Sequence, residues 1–215
     1  MPLRYDAVLF DFGGVLTSSP FAALRAKGEE SGAGYETVRN LVMGPYDDDT
    51  DHAWHRAERG ELALADALEL ITAEAASAGL DFDPSKIGSF FGPASVQDVV
   101  VERIRRLRIE DYRTALVTNN VRELAPFWRP LVPLDELFDV VIDSSDVGVR
   151  KPDPRIFDLT LARLGGVRAD RAVFLDDWPG HLVAAEALGL RGILVGADPA
   201  EAMAELDALL SAGAA

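Results

Sequence analysis

The sequence predicts an α/β protein: a parallel-sheet core with a small helical unit inserted after the first strand. Three observations carry this. The run Ala7-Val8-Leu9-Phe10 is a short buried strand that ends in Asp11 and turns sharply at Gly13-Gly14. From Pro20 to about Ser95 the text offers helical apolar spacing and no convincing strand. After Val96 strands and helices alternate, which implies parallel strands joined by right-handed crossovers.

Taken in order, the first strand places Asp11 at its carboxyl end, where ligands gather in open parallel sheets. Residues 21–31 and 35–43 read as short helices, and 52–59 as another closed by Gly60. Leu64, Ala67, Leu68, Ile71 and Ala75 mark one face of a fourth. A unit inserted directly behind the first strand is expected to lie over Asp11 like a lid. Within it, Asp47, Asp49, Asp51 and Glu58 match four ligand positions of a calcium-binding EF-hand loop, but His52 stands where that loop needs glycine. The segment therefore reads as a solvated loop whose acids favour the start of the next helix. His52 and His55 read as surface residues rather than ligands, placed where closure of the unit brings them toward the cleft.

A helix over 96–107 leads to a strand at 114–118, and a second strand follows at 140–144. Asp153-Pro154 opens a helix, with a strand at 172–176 behind it. A helix running through Leu188, stopped by Gly189, precedes a strand at 192–195 and a last helix at 201–210. The small residues from Ser211 to Ala215 read as a frayed tail. Residues 1–16 and 96–215 thus form the core domain, and 17–95 the helical insertion.

Three further stretches end in groups able to do chemistry. Ala115-Leu116-Val117-Thr118-Asn119-Asn120 finishes a strand with a hydroxyl and two amides, which together with the turn's N–H groups can hydrogen-bond phosphate oxygens without adding charge. In Gly148-Val149-Arg150-Lys151-Pro152-Asp153-Pro154 two prolines stiffen the loop and fix Lys151 just ahead of a helix, as a point charge suited to phosphate. Val173-Phe174-Leu175-Asp176-Asp177 ends a buried strand in two adjacent carboxylates, followed by Trp178-Pro179-Gly180-His181. Bringing those acids near Asp11 costs free energy through like-charge repulsion, and a bound divalent cation removes the cost. Hard oxygen donors acting together with a substrate phosphate suit Mg²⁺.

Composition narrows the partners. The 215 residues carry a formal net charge of −15, which argues against nucleic acid and anionic membrane surfaces. There is no cysteine, which excludes thiolate catalysis and disulfides and fits a cytoplasmic protein. The apolar run at the N-terminus is short and interrupted by Asp11, so it reads neither as a signal peptide nor as a membrane span. No P-loop is present. The expected partner is a small phosphorylated metabolite, and the expected assembly a monomer or homodimer.

The ordered set Asp11, Thr118, Lys151 and Asp176-Asp177, with a helical insertion after the first motif, resembles the haloacid dehalogenase (HAD-like) hydrolase superfamily over nearly the whole chain. The resemblance implies a Rossmann-like core with a helical cap. It further implies that Asp11 is a nucleophile forming an aspartyl intermediate, and that Lys151 neutralises the transferring group and orients Asp11. Thr118 and the main chain around Asn119 would bind that group. Mg²⁺ would be held by Asp11, the carbonyl of Gly13 and Asp177, with Asp176 behind them. One departure stands out: most phosphatases of the superfamily carry a second aspartate two residues after the nucleophile, to protonate the leaving oxygen, and this chain has Gly13 there. The leading expectation is a Mg²⁺-dependent hydrolase of a small phosphomonoester. A metal-free 2-haloacid dehalogenase, which has no need of the Asp176-Asp177 pair, and a non-catalytic binding or regulatory protein of the same fold are the alternatives.

Overall fold

The computed structural model describes residues 4–19, 21–80, 83 and 95–211. Five strands, β1 (Ala7–Phe10), β2 (Arg113–Thr118), β3 (Val140–Asp143), β4 (Ala172–Asp176) and β5 (Arg191–Leu194), form one sheet. All its pairings are parallel, in the order β3-β2-β1-β4-β5. With β1 central, the chain runs outward through β2 and β3 on one side and through β4 and β5 on the other. The order reverses beside β1, and ligand crevices open at such switch points. Phe10 stands level with Leu116 of β2 and Leu175 of β4, so Asp11 emerges between the ends of both neighbours.

Strand alternation builds two cores. Val8 and Phe10 point to one face, with Leu116, Val173 and Leu175. There they meet Val100, Ile104 and Leu107 of helix α5 (Asp98–Ile109) and Met203, Leu206 and Leu210 of the last helix, α8 (Pro199–Ser211). Ala7 and Leu9 point to the other face and pack with Ala115, Val117 and Phe174. That side is covered by Ile156, Phe157 and Leu161 of α6 (Pro154–Arg163) and by Leu182 and Ala185 of α7 (Pro179–Ala187). Asp153 caps α6 by accepting a hydrogen bond from the Arg155 N–H at 2.9 Å, as the Asp-Pro start signal implies. Ser211 closes α8, and the rest of the expected frayed tail lies outside the described residues.

Between β1 and α5 the described residues hold no strand; they form α1 (Phe21–Ser31), α2 (Tyr35–Met43), α3 (Ala53–Glu58) and α4 (Leu64–Ser77). These helices have a core of their own, with Leu24, Val38, Leu41, Met43, Trp54 and Ile71 at its centre. The chain leaves and re-enters the sheet domain side by side: the Ser18 N–H donates to the Ser95 carbonyl at 2.9 Å, and the Gln97 N–H to the Leu16 carbonyl at 2.8 Å. No described helix is long and apolar enough to cross a membrane.

The acidic loop is solvent-exposed as expected, with Asp47, Asp48, Asp49 and Asp51 all exposed, and it is also fastened: Asp47 accepts from the Trp178 indole at 2.7 Å and Asp49 pairs with Arg59. One expectation for the inserted segment is corrected. His52 and His55 are not cleft-facing surface residues. The His52 ring caps α3 by accepting from the Trp54 N–H at 3.2 Å. His55 is buried and turned toward Thr50, its Nδ1 3.1 Å from the Thr50 nitrogen and 3.0 Å from the hydroxyl. Both rings stack on Gly44 (φ +76°), where a Cβ would come within 2.8 Å of each.

Candidate active site

Lys151 is the pivot. Its side chain is wholly buried, and the ammonium lies 2.8 Å from Asp11 Oδ1 and 2.8 Å from Asp176 Oδ2, bridging the ends of β1 and β4. The loop that carries it is clamped to β2 by Asn119. The Asn119 amide nitrogen donates to the Lys151 carbonyl at 2.9 Å, and its oxygen accepts from the Lys151 N–H at 2.8 Å. This pair of bonds occupies the Asn119 side chain, leaving Thr118, buried at the end of β2, as the side chain there with its hydroxyl least engaged, 3.5 Å from the Asn119 carbonyl.

Asp176 is fixed from three sides: by Lys151, by the Trp178 N–H at 2.7 Å, and by His181 Nδ1, 3.1 Å from both carboxylate oxygens. Asp11 Oδ1 also accepts the Phe12 N–H at 2.7 Å. Asp177 accepts the Ser19 hydroxyl at 2.7 Å. It lies against the glycine turn, where a Cβ on Gly14 (φ +77°) would sit 1.9 Å from Asp177 Oδ2. Glycine at 14 is therefore required twice, by backbone conformation and by space.

The charges are unevenly satisfied. Burial, joined by the nearby Asp176, pushes the Asp11 carboxyl up to about 7 in spite of Lys151. Asp177 is pushed up to about 8, by burial first and then by Asp176 and Asp11. Burial also opposes ionisation of Asp176, but Lys151 and His181 outweigh it and hold that group at about 2. His181 is driven down to about 4, chiefly by burial. Near neutral pH it is a neutral ring turned toward Asp176.

Asp11, Asp176 and His181 have ligand atoms within 4.8 Å of one another, but the Lys151 ammonium already serves both carboxylates of that group. The unmet demand lies on the Asp11–Asp177 side. Three carboxylates face one lysine there, and the two with raised values are those beside the glycine turn. Carboxylate and carbonyl oxygens in that setting fit a hard divalent cation of the Mg²⁺ kind.

The structure thus brings Asp11, Thr118, Asn119, Lys151, Asp176 and Asp177 to one end of the sheet, with Gly13 in the turn beside them. It adds residues that sequence reasoning passed over: Ser19 on Asp177, and His181 as a partner of Asp176. It also adds Arg150, which is fully buried and bonded to Glu58 of α3 at 2.7 Å. Burial raises the Glu58 carboxyl even with Arg150 against it. The only sequence signal for Arg150 and His181 was adjacency to the motifs, and Glu58 stood out only as a match to a calcium-loop position.

An aspartate at the end of a central strand, a buried lysine and a paired carboxylate beside a glycine turn define a hydrolase-type site at a sheet switch point. The family model of haloacid dehalogenase-like hydrolases matches residues 5–189, and the chain belongs to that family. It is 32% identical over 217 residues to mouse acyl-CoA dehydrogenase family member 10, covering 96% of this chain but 19% of that protein. It is 27% identical to validoxylamine A 7'-phosphate phosphatase of Streptomyces hygroscopicus, over 96% of this chain and 93% of the other. The chain spans between about a fifth and two fifths of the length of several of the curated relatives it matches. Among solved structures, a HAD family enzyme from Bacteroides thetaiotaomicron in complex with magnesium superimposes with TM-score 0.60 at 18% identity, covering 89% and 93% of the two chains. L-2-haloacid dehalogenase from Xanthobacter autotrophicus does so with TM-score 0.61 at 19% identity, covering 96% and 84%.

Proposed function

We propose that this hydrolase is a Mg²⁺-dependent phosphatase of a small phosphorylated metabolite, working through an aspartyl-phosphate with the inserted helices as a cap. The observation that carries the reading is the charge imbalance at Asp11, Asp176 and Asp177, where one lysine faces three buried or half-buried carboxylates. A displacement on carbon by Asp11 alone gives no reason to collect the other two. Phosphoryl transfer does, since its main demands are in-line positioning and neutralisation of charge.

In this reading Asp11, Asp177 and the Gly13 carbonyl would hold Mg²⁺, and Asp176 fixes Lys151 and the Trp178 turn behind them. The ion would supply charge neutralisation for the phosphoryl oxygens. A carboxylate oxygen of Asp11 attacks phosphorus, the bond from phosphorus to the ester oxygen breaks, and the leaving oxygen takes a proton from water. Water then attacks the acyl phosphate, releasing inorganic phosphate and restoring Asp11. Lys151 holds Asp11 in place and stabilises the transferring group, while Thr118 and the main chain at Asn119 hydrogen-bond its oxygens. Validoxylamine A 7'-phosphate phosphatase, similar over nearly its whole length, supports the phosphomonoester class. The cytoplasm and a monomer or homodimer go with this reading.

The test is phosphate release from a panel of metabolite phosphates and p-nitrophenyl phosphate, with Mg²⁺ or with EDTA, run beside chloride release from 2-chloropropionate. Mg²⁺-dependent phosphate release supports the reading. Chloride release that EDTA leaves untouched would replace it with the dehalogenase, and inactivity in both assays would favour a binding protein.

A further inference from the structure

Arg150 belongs to the loop that carries Lys151, yet its side chain is seated among the inserted helices. Its Nε donates to Glu58 Oε2 at 2.7 Å, and its Nη1 donates to the Asp48 carbonyl at 2.9 Å and lies 3.7 Å from Asp49 Oδ1. The guanidinium carbon sits 5.3 Å from the centre of the Tyr46 ring. Glu58 is fixed in turn by the Trp54 indole, which donates to its other oxygen at 2.9 Å. Arg150 is 0% exposed and Glu58 2%.

A buried ion pair is a poor device for stability, because taking two charges out of water costs about as much as their attraction returns. In some proteins such a pair instead fixes one arrangement of the parts it joins. Here the parts are α3 and its preceding loop on one side, and on the other the residue one peptide bond from Lys151. Asn119 holds the Lys151 main chain in both directions, so the loop has little slack between the Arg150 peg and the ammonium that bridges Asp11 and Asp176.

We infer that Arg150 and Glu58 are positioning residues that couple the seating of the inserted helices to the place of the Lys151 ammonium. The phosphate site is then complete only while α3 is docked. The inference rests on the phosphatase reading of that site, and its test is arranged to separate the two.

Glu58→Gln keeps the size of the side chain and removes its charge. At a temperature well below the variant's Tm, with p-nitrophenyl phosphate and Mg²⁺, kcat is expected to fall about 10- to 100-fold, the range that a sub-ångström to 1 Å misplacement produces. KM should stay within about threefold, and inhibition by orthovanadate should weaken in step with kcat. Glu58→Asp, which restores the charge at a shorter reach, should recover part of the loss. A fall in Tm with kcat and orthovanadate inhibition unchanged would make the pair structural only and overturn the inference. If Glu58→Gln does not fold, Trp54→Phe, which removes the indole donor and keeps an aromatic ring, should lower kcat in the same pattern; an unchanged kcat would count against the coupling. If the parent neither hydrolyses phosphate esters nor binds orthovanadate, the phosphatase reading fails by itself. The coupling is then decided by the crystal structure of Glu58→Gln: a Lys151 ammonium drawn away from Asp11 supports it, and one still bridging Asp11 and Asp176 overturns it.

Discussion

Replacing Lys151 by methionine tests how far one ammonium holds the site together. Methionine is of similar length and keeps contact with the Phe174 ring, which the ammonium faces at 5.4 Å, so the change removes charge more than volume. Breaking a buried ion pair by deleting one partner costs about 3–5 kcal/mol. In this site neither acid is left wholly bare, since Asp176 keeps the Trp178 N–H at 2.7 Å together with His181, and Asp11 keeps the Phe12 N–H at 2.7 Å. That places the cost at the lower end, about 3 kcal/mol. For a chain of this size 1 kcal/mol moves Tm by about 2–4 °C, so calorimetry at pH 8 without divalent cations should show a fall of about 6–12 °C. Asp176→Asn should be less damaging in the Lys151→Met background than in the parent, because it removes one of the unpaired charges. A Tm within about 2 °C of the parent would refute the reasoning.

Three other outcomes follow from particular residues. Gly14→Ala forces a Cβ into the 1.9 Å gap before Asp177 and strains a left-handed backbone, so it should lower Tm and abolish the rise in Tm that Mg²⁺ gives the parent; a parental Mg²⁺ response would place the metal away from this turn. None of the three histidines replaces the acid missing at Gly13, since His52 and His55 are packed on Gly44 and His181 is turned to Asp176. The left-handed turn falls on Gly14 rather than on Gly13. The rate should therefore fall steeply with leaving-group pKa, and Gly13→Asp should flatten the slope, by up to about 10²-fold for alkyl phosphates; a parental slope that is already shallow would contradict this. Burial, followed by Arg150, His52 and Arg59, drives His55 down to about 3, so between its unfolded value near 6.5 and about 3 the unfolded chain binds the extra proton and stability falls as pH falls. From pH 7 to 5 the parent should lose about 1–2 kcal/mol more than His55→Asn in urea titrations, and equal losses would show that His55 is not the sensor.

How much the sequence carried differs by level. The sheet was legible because Ala7–Phe10 and its neighbours are short apolar runs ending in polar residues, and the helices of the insertion because Leu64, Ala67, Ile71 and their like recur at the helical period. Asp11, Thr118 and the Asp176-Asp177 pair were legible because each stands at the end of a strand, and Lys151 because prolines and the Asp153-Pro154 helix start fix its loop. What escaped was every contact set by tertiary packing. Glu58 looked like a stray ligand of an acidic loop, and only the docking of α3 shows it buried against Arg150. Asn119 looked like a phosphate donor, while its amide clamps Lys151. His52 and His55 carry polar rings, and no local pattern reveals that both pack on Gly44, with His55 buried.

The most direct test of the central reading is to trap the covalent species. The protein is quenched in acid during turnover of p-nitrophenyl phosphate with Mg²⁺, and peptide mass spectrometry then locates the added phosphoryl group. The account predicts a phosphoryl group on the Asp11 peptide that disappears in Asp11→Asn and in the presence of EDTA. A label on another residue, or turnover that persists in Asp11→Asn, would contradict it.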